Sequence, residues 1–139
     1  MIFGVRFQKN LMRSNVLDIK KSLENLIEKH CLNQIFNKLF SFIEENVYSL
    51  DFTYKHTYIE NVEFALLQDV EILRIENINS NVDKISFNLI TNAQIEIGER
   101  VYGEKQSDLV NKWFTIVCSA KFDDKIDDFC IYNIYAYKN

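Results

Sequence analysis

Five side chains make up the soft-ligand inventory of this sequence: His30, His56, Cys31, Cys118 and Cys130. A zinc site takes three or four such ligands at short spacings such as CxxC or HExxH, and neither spacing occurs. His30 and Cys31 are neighbours in sequence and point to different sides of any helix that holds them. A turn centred near residue 125 would oppose 118 with 132 and 120 with 130, which brings Cys118 and Cys130 close across a hairpin. Two thiols with no third ligand read as small buried hydrophobes. Three cysteines are an odd number and argue against a disulfide framework, so free thiols are expected, with no metal and no cofactor. Nucleophilic catalysis needs a Cys or Ser held beside a His. His56 shares an alternating face with Phe52, Tyr54 and Tyr58, where a half-buried sheet histidine is the simpler account. The three glycines, Gly4, Gly98 and Gly103, build neither GxxxxGK[ST] nor GxGxxG, so the known phosphate loops are excluded.

Carboxylates are the more abundant chemistry. Asp123, Asp124, Asp127 and Asp128 crowd one short segment. It lacks the alternation and the glycine of an EF-hand loop. Asp18-Ile19-Lys20 and Asp123-Asp124-Lys125 fit a nuclease D-x-K pattern, but a match this short arises by chance. Residues 1–50 carry seven basic and five acidic groups, whereas residues 51–139 carry nine and fifteen. An acidic second half repels phosphate backbones and suits a basic protein partner, so direct nucleic-acid binding is not expected. The contact points expected for that partner are Asp123, Asp124, Asp127 and Asp128, together with Glu96, Glu99 and Glu104. Trp113, Tyr132, Tyr135 and Tyr137 have acidic rather than basic flanks, which favours packing and interface roles over base stacking.

Period separates the elements that must position these groups. Phe3, Val5 and Phe7 suggest a short strand. From Val16 the apolar spacing is helical, predicting helices over about 15–30 and 33–48, capped by Asn15 and Asn33, or one long helix bent near Cys31. After Leu50 the period is two, and residues 52–59 read as a strand. Residues 62–78 suit either helix or strand, with strand favoured for 70–78. The clearest alternation, 85–97, would span about 43 Å fully extended, against a radius of gyration of about 14 Å for a compact chain of this length. It must therefore bend, with a bulge expected near Thr91-Asn92-Ala93. Residues 98–112 read as a polar loop with a short helical turn, and 113–122 and 129–137 as strands. Apolar residues on both faces of 129–137 suggest a central or helix-covered strand.

The run Val70-Glu71-Ile72-Leu73-Arg74-Ile75-Glu76, the long alternating 85–97 segment, a polar insertion and a strand led by Trp113 together resemble the β-rich tail that follows PIN-like nuclease domains in some bacterial proteins. The likeness covers about residues 56–137. Nothing before residue 56 resembles the acidic catalytic cluster of such nucleases, so the likeness implies an accessory module without the catalytic part.

With 139 residues, 47% hydrophobic and 14% aromatic, the sequence has the composition of one folded domain, 1–139. No apolar run approaches the length of a membrane span, and Met1 to Arg6 lacks the order of a signal peptide, so a cytoplasmic protein is expected. The expected fold is α+β, with N-terminal helices on a curved, mostly antiparallel sheet of four to six strands. Two functions compete. The favoured one is a non-catalytic, acidic protein-binding module, of the kind that immunity proteins and antitoxins represent in bacterial conflict systems. The other is a small-molecule-binding or enzymatic helix-over-sheet domain with a pocket near His56.

Overall fold

The computed structural model of the chain describes residues 16–54, 57–58 and 62–138. Two helices lead, α1 (Val16–His30) and α2 (Leu32–Glu45). Their buried residues are Ile19, Leu23, Ile27, Cys31, Ile35, Leu39 and Ile43, one at every fourth position. A helix turns every 3.6 residues, so a stripe at spacing four drifts around the axis by about 40° per step. A straight helix would carry that stripe away from whatever it packs on, and a bend at Cys31 can bring it back. The backbone ladder is interrupted at Cys31, whose N–H ends α1 by donating to Ile27 O at 2.8 Å and whose C=O opens α2 by accepting from Ile35 N–H at 3.0 Å. Two helices therefore meet at Cys31, near where the sequence suggests a break. Asn33 lies inside α2 rather than capping it, and Cys31 at the cap position makes no side-chain cap bond. Asn46 closes the far end, its Nδ2 donating to Phe42 O at 2.7 Å.

A small hairpin follows, β1 (Thr53–Tyr54) and β2 (Thr57–Tyr58), pairing Thr53 with Tyr58 and Tyr54 with Thr57. It replaces the single strand expected over 52–59. His56, Asn15 and the 3–7 segment lie outside the described residues.

The main sheet holds four antiparallel strands in chain order: β3 (Phe64–Ser80), β4 (Ile85–Val101), β5 (Glu104–Phe122) and β6 (Ile126–Ala136). The fold is α+β, with N-terminal helices and a curved antiparallel sheet, at four strands. Residues 64–80 are strand throughout, which resolves the ambiguous 62–78 stretch.

Four details differ from the sequence reading, each for a physical reason. Residues 98–112 are not a loop, because β4 and β5 continue as a hairpin to the turn at Tyr102 and Gly103, both at positive φ (53° and 81°). Positive φ at both central residues gives the turn whose twist matches paired strands. The stretch looks polar because most of it is wet, with Val110 its deeply buried apolar side chain on β5. Second, β4 carries no bulge near Thr91-Asn92-Ala93, as its register with β5 is unbroken. The irregularities fall on the outer strands instead, at three places in the β3–β4 ladder and two in the β5–β6 ladder. Third, β6 is an edge strand, with a helix layer against one face only. Tyr132 and Tyr135, which made it look apolar on both faces, stand exposed. Fourth, Asp128 at φ 51° and the shifts beside it move the register, so Cys118 opposes Ile131 and Cys130 opposes Ser119. Cys118 is buried and Cys130 exposed, on opposite faces.

The helices come closest to the two outer strands, β3 and β6. The sheet therefore curls around the helix layer, and its concave side is filled by Phe87, Leu89, Ile95, Phe114 and Ile116 against Leu23, Ile27, Ile35 and Leu39. Phe42 meets Phe114 edge-on at 6.0 Å, and Phe87 lies 6.4 Å from Phe129. Thr91, fully buried among them, donates its hydroxyl to Phe114 O at 3.1 Å.

At Gly98 the strands pass so close that a Cβ would enter the van der Waals radius of the Gln106 carbonyl oxygen and come within 2.9 Å of the Phe64 ring. Backbone cannot step aside as a side-chain tip can. Gly98→Ala is expected to cost about 1–3 kcal/mol of stability, read as a lowered midpoint in urea unfolding, whereas Gly103→Asn at the open turn should cost far less.

Candidate functional site

Opposed residues of a sheet share a face, so the register gives the content of the side the helices leave bare. Across β3, β4 and β5 its rows read Leu66–Glu96–Leu109, Asp69–Gln94–Asn111, Glu71–Asn92–Trp113, Arg74–Ile90–Thr115 and Glu76–Asn88–Val117. β6 adds Tyr135 beside Thr115 and Asn133 beside Val117. Within these rows four carboxylates, Asp69, Glu71, Glu76 and Glu96, face one cation, Arg74. The amides of Asn88, Asn92, Gln94, Asn111 and Asn133 fill the spaces between.

Arg74, Trp113 and Tyr137 form the centre of this face. The Arg74 guanidinium lies 5.9 Å from the Trp113 ring centroid and 5.5 Å from that of Tyr137, and the two rings are 5.5 Å apart. Arg74 Nε donates to Glu76 Oε2 at 2.5 Å and its Nη2 to the Tyr137 hydroxyl at 2.8 Å. The hydrogen bond to Glu76 leads the contacts that raise the Arg74 pKa, so the group is a permanent cation. Ile90 and Thr115, in the same row as Arg74, are 1% and 4% exposed although α1 and α2 pack on the other face. Trp113 nevertheless keeps 41% of its surface in solvent, and Tyr135 keeps 43%. Asn92 donates Nδ2 to Asn111 Oδ1 at 3.1 Å, while its own buried Oδ1 has no donor among the described residues. The face is thus rich in acceptors around an aromatic and guanidinium centre.

The residues expected to meet a partner are divided between the two ends of the sheet. Asp123, Asp124, Asp127 and Asp128 sit at the β5–β6 turn, and Glu99 and Glu104 near the β4–β5 turn. Up to about 60 Å of β5 separates the two ends. The first group is largely engaged locally. Asp123 Oδ1 accepts the N–H groups of Asp124 at 2.6 Å and Lys125 at 3.2 Å, and Lys121 and Lys125 pair with Asp128 and Asp127 at 3.3 and 4.0 Å. Hydrogen bonding with the Asp124 side chain and then with the Lys125 backbone lowers the Asp123 pKa. Glu96 lies on the open face and accepts a hydrogen bond from Ser107 Oγ at 2.8 Å. The Arg74–Trp113–Tyr137 cluster was missed by sequence reasoning. Its one legible sign is a lone arginine in a strand that also carries Glu71 and Glu76; the aromatic partners come from strands 39 and 63 residues further on.

At the end of β6 a cavity of about 210 Å³ opens between Asp51, Phe52, Val110, Asn111, Lys112 and Trp113. Lys112 Nζ donates to Asp51 O at 2.7 Å across it. Among the described residues no three His, Cys, Asp or Glu side chains converge on a point, and no helix is long and apolar enough to cross a membrane. Comparison with protein-family models, with curated proteins and with solved structures finds no match to this chain.

Two outcomes follow from these positions. Burial raises the pKa of the Cys31 and Cys118 thiols above the ordinary 9.0, and for Cys118 the neighbouring Cys31 adds to the effect. A thiol pKa raised on folding leaves stability full below about pH 9 and erodes it as pH climbs toward the folded value. In a thiol-reagent titration at pH 8, Cys130 should react in the native protein, and Cys31 and Cys118 only on unfolding. Unfolding midpoints should decline above about pH 9. Trp113 is the single tryptophan, so its fluorescence reports the open face alone. Arg74→Ala uncovers the ring and should raise its quenching by acrylamide, with the fold unchanged by circular dichroism.

Proposed function

We propose that this chain is a non-catalytic protein-binding module whose partner presents a basic, donor-rich surface to the open face of the sheet. The observation that carries this reading is the half-exposed Trp113, seated with Arg74 and Tyr137 in a field of carboxylates and amides on the side opposite α1 and α2. Trp, Tyr and Arg are the residues in which interface hot spots concentrate. The surrounding Asp69, Glu71, Glu76 and Glu96 favour cations on the partner. Asp123, Asp124, Asp127 and Asp128 at one end, and Glu99 and Glu104 at the other, extend the acidic field as rims that steer approach. Toxin-immunity proteins and antitoxins of bacterial conflict systems are the class that this size and acidity suit. An accessory module of a nuclease assembly is the form that the PIN-like likeness would give the same activity.

The test begins by recovering the partner from the native host with the wild-type chain as bait, and then measures variants against it across a salt series. Trp113→Ala should weaken binding about thirtyfold or more, the loss of a hot spot worth about 2 kcal/mol. Replacing Asp123, Asp124, Asp127 and Asp128 together by Asn should slow association and flatten its salt dependence while leaving dissociation nearly unchanged. Wild-type affinity in folded Trp113→Ala would rule out the open face as the binding centre.

A further inference from the structure

β6 pairs with β5 only from Phe114 onward, so the run of β5 before it has β4 on one side and, among the described residues, no strand on the other. The Trp113 carbonyl accepts from Tyr137 N–H at 3.0 Å, which turns its main-chain groups away from β4. Orientation alternates along an antiparallel strand, so Asn111, Leu109 and Ser107 also direct N–H and C=O outward. Natural edges are usually blunted by bulges that twist them away. β3 has three register shifts and β6 two, whereas this run stays in perfect register with β4. It is a lane of main-chain donors and acceptors without a bulge, ending at Tyr137 beside Trp113.

The two flanks of the lane differ. On the helix side stand Asp51, Glu99, Glu104 and Asp108, and the described cation there, Lys112, is held by the Asp51 carbonyl. On the open side stand Ser107, Leu109 at 53% exposure, Asn111 and Trp113. A second copy of this chain fits poorly. Pairing of two copies edge to edge would set the same acidic flank, Glu99, Glu104 and Asp108, against itself, whereas a basic segment neutralises it.

We propose that the β5 edge from Gln106 to Asn111 accepts an extended segment of a basic protein as an added strand, with Lys or Arg at alternate positions over the acidic flank and apolar residues over Leu109 and Trp113. Main-chain bonds supply the attachment and the two flanks supply the selectivity. The inference rests on the basic-partner reading above and adds where, and in what conformation, that partner is gripped.

Amide hydrogen exchange by NMR tests it on the full chain. In the protein alone, the amides of Ser107, Leu109 and Asn111 should exchange fast, while those of Asp108 and Val110, bonded to β4, exchange slowly. A short synthetic peptide alternating lysine and valine should slow the first three about tenfold or more at saturation, and its glutamate–valine counterpart should not. Leu109→Pro removes one outward donor without touching the β4 ladder and should abolish the effect. Asp108→Lys, which leaves the backbone alone, should weaken it, so the proposal stays testable if the proline variant fails to fold. If the three amides are already protected in the protein alone, the lane is filled by this chain or by a second copy and the proposal falls. It falls equally if the lysine peptide perturbs the Trp113 indole on the open face but not the edge amides, an outcome that leaves the basic-partner reading standing. Equal protection by both peptides, or none by either, also overturns it.

Discussion

Seventeen consecutive residue pairs join β4 to β5 without a shift, and the other elements are arranged around that ladder. A ladder this long cannot stay flat, because strands twist and the helix layer must be enclosed. The central pair remains regular, and the outer strands take up the distortion, at three places along β3 and two along β6. Each bulge bends its strand and increases the local twist, which lets both outer strands close on α1 and α2. The fourfold spacing of Ile19 through Ile43 is the helical counterpart of the same constraint, a stripe that must wind as it packs.

That division of labour also decides what is left over. The concave side is filled by α1 and α2, and the opposite face is left to other residues. Its rows carry mostly amides and carboxylates, with Leu66, Ile90, Leu109 and Val117 among them, around Arg74 and its two rings. Because β5 is nineteen residues long and β6 eleven, the ladder also overruns its neighbour and leaves a length of main chain that pairs, among the described residues, with no strand on that side. The polar face and the bare edge meet at Trp113. Both are consequences of strand length rather than of a preformed pocket.

Much of this was legible in the sequence, and what was hidden has a common cause. Helical spacing from Val16 and alternation through 85–97 located the core, because burial imposes its period directly on residue type. The stretch from 98 to 112 was opaque because both faces of that hairpin are largely wet, so nothing forces alternation. Its strand character comes from main-chain pairing and from the turn at Tyr102 and Gly103. The positions of the bulges were opaque too: Asp128 at φ 51° is an ordinary turn aspartate in the sequence, yet with the neighbouring irregularity it moves the register and separates Cys118 from Cys130. The Arg74 cluster left only the lone arginine as a sign, since it joins β3, β5 and the residue just after β6, which are distant in sequence. The acidic tip, conspicuous in sequence, is largely occupied in space by its own lysines and turn amides.

The most direct measurement is a side-chain footprint of the complex by hydroxyl-radical oxidation. Trp113, Tyr135 and Tyr137 on the open face are compared with Tyr48, 86% exposed at the end of α2. The account predicts that partner binding shields the first three rings and leaves Tyr48 as reactive as in the free protein. Shielding of Tyr48 with unchanged oxidation of Trp113 would place the interface on the helix layer and contradict it.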